Sequence, residues 1–281
     1  MRILITGAGG MLGRDVVRAV QAAGHHSIAL VRAELDITDS AAVAAAVAAA
    51  HPEVVINCAA WTDVDGAEQA HDAALAVNGS GAGHVARAAA AAGAWTIHVS
   101  SDYVFDGTKA APYVESDPVR PRSVYGRSKL DGERAVAREA PDRHTIVRSS
   151  WLFGAEGRCF PKTILRLAAQ RDQLDVVCDQ VGGPTFTGHL AAALVGLAAG
   201  PRRGVLHLAC AGQCSWFEFA QQIVAAGGLE CEVRPIDTEH YPLPAPRPAY
   251  SVLVSERGAP ALPHWTEGLS EFMSLTARVA A

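Results

Sequence analysis

Short apolar runs alternate with longer, alanine-rich stretches from the start of the chain to about Phe153. Ile3-Leu4-Ile5 comes first and leads through glycine-rich sequence into a helical pattern that ends near Ala23. Ile28-Ala29-Leu30-Val31, Val54-Val55-Ile56-Asn57, Thr96-Ile97-His98-Val99 and Thr145-Ile146-Val147 are the next strand candidates. Helical stretches separate them, one running from about Ser40 to Ala50. Strands that alternate with helices imply right-handed crossovers, and so predict a parallel, doubly wound α/β sheet. The pattern changes after Phe153. Helical periodicity returns at 161–171, 187–199 and 216–227, separated by irregular sequence in which Val176-Val177 and Val205-Leu206-His207-Leu208 read as later strands. The stretch from Pro242 to Pro248 is too rich in proline for a regular helix and predicts an ordered loop. Two parts are expected, 1–153 and a smaller 154–281, interleaved because a late strand can return to the main sheet.

Composition narrows the partners. Apolar residues make up 49% of the 281 residues and charged residues 19%, enough for a substantial core. The net charge is −5 with both signs scattered along the chain, which excludes the electrostatic footprint of a nucleic-acid binder or a polybasic membrane anchor. No uninterrupted apolar run reaches the ~18 residues of a membrane span. The apolar start is too short for a signal peptide and reads as a buried first strand, so a cytoplasmic protein with a small-molecule partner is expected. The six cysteines are dispersed, with only Cys210 and Cys214 close together, and no second Cys/His pair has zinc-site spacing. They read as free thiols in a reducing compartment.

Thr6-Gly7-Ala8-Gly9-Gly10-Met11-Leu12-Gly13 lies directly between the first strand and the first helix. In that setting Gly7 permits a tight turn, Gly10 lets backbone approach a pyrophosphate, and Gly13 lets the helix pack closely on the sheet. The helix N-terminus adds free N–H groups and positive dipole for the anion. The expected fold is therefore of Rossmann type, with the dinucleotide in the 1–153 part and 154–281 mainly on the substrate side. The spacing of Gly7, Gly10 and Gly13 resembles that of the extended short-chain dehydrogenases. After the second strand comes Arg32, with no acid at the strand end for a free ribose 2′-hydroxyl. Arg32 suits a 2′-phosphate, which favours NADPH, with NADH as the other nicotinamide.

Tyr125-Gly126-Arg127-Ser128-Lys129 puts a phenol and an ammonium four residues apart, on one face of a helix. With five tyrosines and three lysines in the chain, such a pair arises by chance roughly 0.05 times. Val99-Ser100-Ser101-Asp102 precedes it at the end of a strand, where parallel sheets face their cofactor. Ser101, Tyr125 and Lys129 together resemble the catalytic set of short-chain dehydrogenases. The residue types suit carbonyl reduction: Ser101 can polarise the carbonyl oxygen and Tyr125 can protonate it. Lys129 is expected to favour the phenolate, each unit of pKa lowering corresponding to about 1.4 kcal/mol.

Five longer strings in order narrow the resemblance. They are Asn57-Cys58-Ala59-Ala60-Trp61-Thr62-Asp63-Val64-Asp65, Ser101-Asp102-Tyr103-Val104-Phe105-Asp106-Gly107, Arg148-Ser149-Ser150-Trp151, Gln180-Val181-Gly182-Gly183-Pro184-Thr185 and Arg247-Pro248-Ala249-Tyr250-Ser251-Val252-Leu253. Over essentially the whole chain this set is similar to the dTDP-4-dehydrorhamnose reductase family. The resemblance implies reduction of the C4 ketone of a dTDP-4-keto-6-deoxy sugar, for cell-envelope rhamnose or for an antibiotic deoxysugar such as dihydrostreptose. It further implies that Gly10, Met11, Leu12, Asp36, Ile37, Ala59, Ala60, Trp61 and Thr62 contact the cofactor, Asp36-Ile37 at the adenine. Lys129 would also hold the nicotinamide ribose. Ser101, Asp102, Tyr103 and Trp151 would face the sugar, and Arg247 the nucleotide.

The chain departs from the family pattern at three places. Serine stands at 101 where threonine is common, and Val254-Ser255 follows Leu253 where a polar or acidic residue is usual. Some members hold a divalent metal such as magnesium between clustered carboxylates at a dimer contact. Here His189 occupies one such position and Asp15 retains another, so no metal ligand is assigned, and monomer and homodimer stay open. Rival readings are an epimerase or dehydratase of the same superfamily, and a non-catalytic NADP-binding regulatory subunit. Tyr103 after Asp102, in place of a dehydratase's glutamate, disfavours the dehydratase.

Overall fold

A computed structural model describes residues 1–280, with side chains over 1–277. The first part of the chain runs β1 (Arg2–Thr6), α1 (Met11–Ala22), β2 (His26–Leu30), α2 (Ser40–Ala50), β3 (Val54–Asn57), α3 (Val64–Ala67), α4 (His71–Leu75), α5 (Ala82–Ala91), β4 (Trp95–Ser101), α6 (Val124–Glu139) and β5 (His144–Ser149). It continues through β6 (Leu152–Phe153), α7 (Phe160–Ala168), β7 (Gln173–Val177), β8 (Val181–Gly182), β9 (Thr185–Phe186), α8 (Thr187–Ala199) and β10 (Gly204–His207). Last come β11 (Cys210–Ala211), β12 (Cys214–Ser215), α9 (Trp216–Ala226), β13 (Glu232–Ile236), β14 (Leu262–His264) and α10 (Trp265–Ala280). Six strands form one parallel sheet in the order β10-β5-β4-β3-β1-β2, the doubly wound arrangement that the strand–helix alternation implies. Its sixth strand, β10, comes from late in the chain and lies against β5.

Helices cover both faces, so β3 and β5 are buried along their whole lengths. One core packs α1, α8 and α9 against β1 and β3 through Val16, Val20, Leu190, Leu194 and Phe219. The other face is filled from α2 and α5, where Val43, Val47, Val85 and Ala89 meet Leu4 and Val55. Among the described residues no helix is long and apolar enough to cross a membrane. The 242–248 stretch is irregular, as its prolines require.

Two local features depart from the apolar pattern. The second strand stops at Leu30, not Val31: Glu34 accepts the Val31 N–H at 3.0 Å, and Glu34 N donates back to the Val31 carbonyl at 2.9 Å, closing a turn. Between α4 and α5 the helix widens into a π-helical turn over Ala76–Gly81, an irregularity often found at functional sites. This turn lies against α6, and Gly132 there has no room for a side chain, because a Cβ would collide with the Asn78 carbonyl oxygen. Gly132→Ala should therefore push α6 away from the turn and cost about 1–3 kcal/mol of stability, read from the urea midpoint. An unchanged midpoint would show that the two segments are not in this contact.

Candidate active site

The strand order reverses between β1 and β3, and the carboxyl ends of such strands line the crevice where ligands of doubly wound folds sit. Thr6 Oγ1 donates to Asn57 Oδ1 (2.6 Å), and Asn57 Nδ2 meets His98 Nδ1 (3.1 Å), tying β1, β3 and β4 together at that end. Gly7 follows with φ +66°, and a Cβ on it would lie 2.6 Å from Ala59 backbone. A Cβ at Gly13 would strike the Gly7 carbonyl oxygen. Gly9 and Gly10 are exposed, α1 begins after Gly10 with no side-chain cap, and its first turn carries no acid. Free helical N–H groups beneath a surface without side chains fit a dinucleotide pyrophosphate.

The remaining expected cofactor residues surround this turn to different degrees. Leu12 is buried in the core, so it presents only backbone to the turn, while Met11 is half-buried. Arg32 is exposed beyond β2, close in sequence to Glu34, whose carboxylate is turned back onto Val31. Thr38 donates from both its amide and its hydroxyl to Asp36, lowering the pKa of that exposed carboxyl. Ile37 is core, and its carbonyl meets His84 Nδ1 at 3.1 Å. Ala59, Ala60 and Trp61 are half-buried and Thr62 exposed. Asn78, which sequence reasoning missed, holds Trp61 on both sides: its Oδ1 accepts Trp61 N (2.9 Å), and its Nδ2 donates to Trp61 O (3.1 Å) and Ser128 Oγ (2.9 Å). The only signal was one asparagine within a helical, alanine-rich pattern.

Ser101 ends β4, where its Oγ donates to Asp102 Oδ1 (2.8 Å) and accepts from Tyr103 N (3.2 Å). Two residues fix the start of α6: Ser123 Oγ caps Gly126 N at 3.0 Å, and Glu68 Oε1 accepts Val124 N at 2.7 Å. Tyr125 and Lys129 then project from one face of α6. Burial pushes the Tyr125 phenol up to about 12, against the pull of the adjacent Ser101 hydroxyl. Burial brings the Lys129 amine down to about 8, opposed by the Glu133 charge. Lys129 Nζ donates to Val99 O at 2.7 Å. The expectation that Lys129 holds the phenol down is thus not met in the protein alone, because helical spacing shares a face but the amine is drawn to the strand. Nearby Cys58 is a neutral thiol, raised by burial to about 12.

Behind Lys129 lies a buried ion pair that no motif announced. Glu133 accepts from Arg148 Nε (2.9 Å) and Nη2 (2.7 Å), and from Ser100 Oγ (2.6 Å). In front, the Tyr103 ring meets Tyr125 edge-on at 5.4 Å, and burial raises the Tyr103 phenol while the Arg247 charge lowers it. Arg247 Nη2 pairs with Asp65 Oδ2 at 2.6 Å. Trp151 is half-buried with φ +47°, and its indole stacks on Trp216 with ring centroids 3.4 Å apart and an interplanar angle of 3°. A Cβ at Gly182 would collide with the same indole. Trp216 was missed because it reads as ordinary helix sequence. Asp15 pairs with Arg18 and Thr187, and His189 pairs with Glu271 at 2.9 Å and not with Asp15.

A model of the RmlD substrate binding domain matches residues 1–277. The dTDP-4-dehydrorhamnose reductase of Mycolicibacterium smegmatis is 46% identical over 278 residues, which is 96% of this chain and 84% of that one. Among solved structures, the dTDP-4-dehydrorhamnose reductase from Clostridium acetobutylicum superposes with a TM-score of 0.95 at 40% identity, covering 99% of this chain and 100% of that one. The Bacillus anthracis dTDP-4-dehydrorhamnose reductase, in complex with NADP, gives a TM-score of 0.94 at 36% identity over 97% and 98% of the two chains. The chain belongs to the dTDP-4-dehydrorhamnose reductase family.

In this member of the reductase family the carboxyl beside Ser101 has an energetic signature. Burial raises Asp102 from its ordinary value of 3.8 to about 6, with the Ser101 and Ser251 hydroxyls opposing. Its Oδ2 lacks a hydrogen-bond partner among the described residues, so the Ser251 hydroxyl acts nearby without a bond of good geometry. A folded pKa above the unfolded one means that this carboxyl's contribution to stability is complete below about pH 4. It is lost as the pH rises through about 6. Asp102→Asn keeps an acceptor for Ser101 and removes the charge. It should melt higher than the parent at pH 7.5, by an amount equivalent to at most about 3 kcal/mol, and the gap should close towards pH 4. A difference that does not vary with pH would show that the charge carries no such penalty.

Proposed function

We propose that this chain is an NADPH-dependent reductase of the C4 ketone of a dTDP-4-keto-6-deoxy sugar. The substrate is dTDP-4-dehydro-L-rhamnose, giving dTDP-L-rhamnose, or a close relative such as the precursor of dTDP-dihydrostreptose. The observation that carries this reading is the meeting of the Tyr125 phenol and the Ser101 hydroxyl at the carboxyl end of β4, with buried Lys129 one turn along α6. Identities of 36–46% to proteins named as dTDP-4-dehydrorhamnose reductases support the substrate class.

NADPH, when bound, supplies a hydride for the carbonyl carbon. Gly7, Gly10 and Gly13 with the first N–H groups of α1 would hold its pyrophosphate, and Arg32 would meet the 2′-phosphate. Asp36, Ile37 and the 59–62 segment would contribute further contacts to the cofactor. Ser101, turning its one O–H from Asp102 to the substrate, donates a hydrogen bond to the carbonyl oxygen, and Tyr125 gives that oxygen its proton as the alkoxide develops. A phenol near pKa 12 is fully protonated at neutral pH, the form that reduction needs. Lys129, one helical turn away, offsets the phenolate left behind and would hold the nicotinamide ribose hydroxyls. Asp102, Tyr103 and Trp151 bound the sugar, and Arg247 faces the nucleotide. In this reading 1–153 carries cofactor and catalytic groups, while 154–281 mainly shapes the substrate side and contributes β10 to the shared sheet.

Tyr125→Phe should retain NADPH binding and lose about two or more orders of magnitude in kcat, followed by NADPH absorbance with the keto sugar. Near-parental turnover by the folded variant would sink the reading. NADPH should also be preferred over NADH, and Arg32→Ala should narrow the ratio of kcat/KM by about tenfold or more, the scale of a charge-assisted phosphate contact. Equal use of both cofactors by the parent would overturn the role given to Arg32.

A further inference from the structure

Asp65 has no hydrogen bond to the glycine turn or to Ser101, Tyr125 and Lys129, yet it joins the two sides of the cleft. It sits on α3, the short helix begun by Asp63, whose side chain caps Gly66 N at 2.9 Å. Both Asp65 carboxylate oxygens reach the proline-rich loop some 180 residues later: Oδ1 accepts Ala245 N at 3.0 Å, and Oδ2 accepts Arg247 Nη2 at 2.6 Å. Arg247 Nη1 closes the ring by donating to Ala245 O at 3.1 Å. Four of the seven residues from 242 to 248 are prolines without an N–H, so this loop has few amides with which to anchor itself. Asp65 provides that anchor. Arg247 is left with 15% of its side chain exposed and with its charge felt at Tyr103, whose ring touches Tyr125.

A guanidinium has five N–H donors in a rigid fork. Here one end of the fork is spent on Asp65 and Ala245, which fixes the plane and leaves the remaining donors for a ligand. Holding an arginine in its binding geometry before the ligand arrives removes an ordering cost from binding. We propose that Asp65 is a positioning residue. By fixing the 242–248 loop and the Arg247 fork, it aims the free N–H donors of Arg247 at the diphosphate of the nucleotide sugar. The proposal rests on the nucleotide-sugar reading above. Asp65 also partly neutralises Arg247, so its effect is opposite to what charge alone would give: removing the acid weakens anion binding.

The test is calorimetric titration with dTDP and with thymidine, which lacks the diphosphate, alongside kinetics with NADPH and dTDP-4-dehydro-L-rhamnose. Asp65→Asn should raise the dTDP Kd and the sugar KM about tenfold, the scale of a charge-assisted bond. Thymidine binding, kcat and the NADPH Kd should stay within about twofold, since none of them uses the fork. In an Arg247→Ala background, Asp65→Asn should add nothing further, because coupled residues are not additive. Equal weakening in both backgrounds, tighter dTDP binding, or a fall in kcat at constant KM would each overturn the proposal. Should Asp65→Asn not fold, Asp65→Glu keeps the charge on a longer arm that displaces the loop; it should raise KM by a smaller factor, and unchanged dTDP affinity in it would likewise overturn the proposal. A parent protein that binds no dTDP and turns over no keto sugar would remove the nucleotide-sugar reading itself, an outcome distinct from an Asp65 variant that binds dTDP as the parent does.

Discussion

Backbone-to-backbone approach at a few glycines fixes where the two functional helices begin. A Cβ at Gly13 would strike the Gly7 carbonyl, and a Cβ at Gly7 would strike Ala59, so α1 starts hard against β1 and the loop after β3. On α6, a Cβ at Gly126 would strike the Tyr103 carbonyl and one at Gly132 the Asn78 carbonyl. The phenol and amine of α6 therefore cannot drift from the end of β4, because the helix carrying them rests on backbone that does not give way. A larger residue would move a whole helix and not merely a side chain, and displacing groups by 1 Å is enough to lose reactive geometry.

Buried charge is arranged around this frame with unequal compensation. Tyr125, Lys129 and Glu133 follow one another at helical spacing along α6, and Glu133 is held by a two-bond fork from Arg148 and by Ser100. Three donors satisfy the hydrogen-bonding capacity of this buried carboxylate, and removing one partner of the pair would cost about 3–5 kcal/mol. Lys129 has no such partner: it donates to the Val99 carbonyl and feels Glu133 only through space. Burial lowers its pKa, and one of its three donors is spent on the Val99 carbonyl. The better-satisfied carboxylate, Glu133, sits one turn behind Lys129, although Arg148 Nη1 of the same pair has no hydrogen-bond partner among the described residues.

Much of this was legible in the chain. Apolar runs located the sheet strands, the glycine spacing placed a turn under the start of α1, and the Tyr125–Lys129 spacing put both groups on one helix face. These signals are local and depend on periodicity or on space. What the sequence did not reveal is long-range: Asn78 clasping Trp61, Glu68 capping α6, Trp216 stacking on Trp151, Asp65 holding the loop at 245–247. Each pairs side chains whose separation carries no pattern. The expected effect of Lys129 on Tyr125 failed for a related reason. Spacing on a helix tells which face a flexible amine leaves from, and the Val99 carbonyl of the neighbouring strand decides where it goes.

Trp151 is where the chain leaving β5 is under strain. A bulky residue with φ of +47° is an outlier of the kind that costs about 1–3 kcal/mol and persists only where its surroundings leave no alternative. Those surroundings are in place. Ser150 Oγ donates to Gly183 O at 2.7 Å, Thr185 N donates to Trp151 O at 3.1 Å, and the indole is pinned between Trp216 and the bare Cα of Gly182. A tryptophan needed only to fill the core has no use for a left-handed backbone, since ordinary strand geometry would already turn it into one of the two helical layers. The left-handed turn instead redirects the side chain at the point where the chain leaves β5, at the end of the sheet where Ser101 lies in the adjacent strand. The stacked pair thus joins the first part of the chain to α9, and the strain is what brings an indole from the end of one strand to a helix laid down much later.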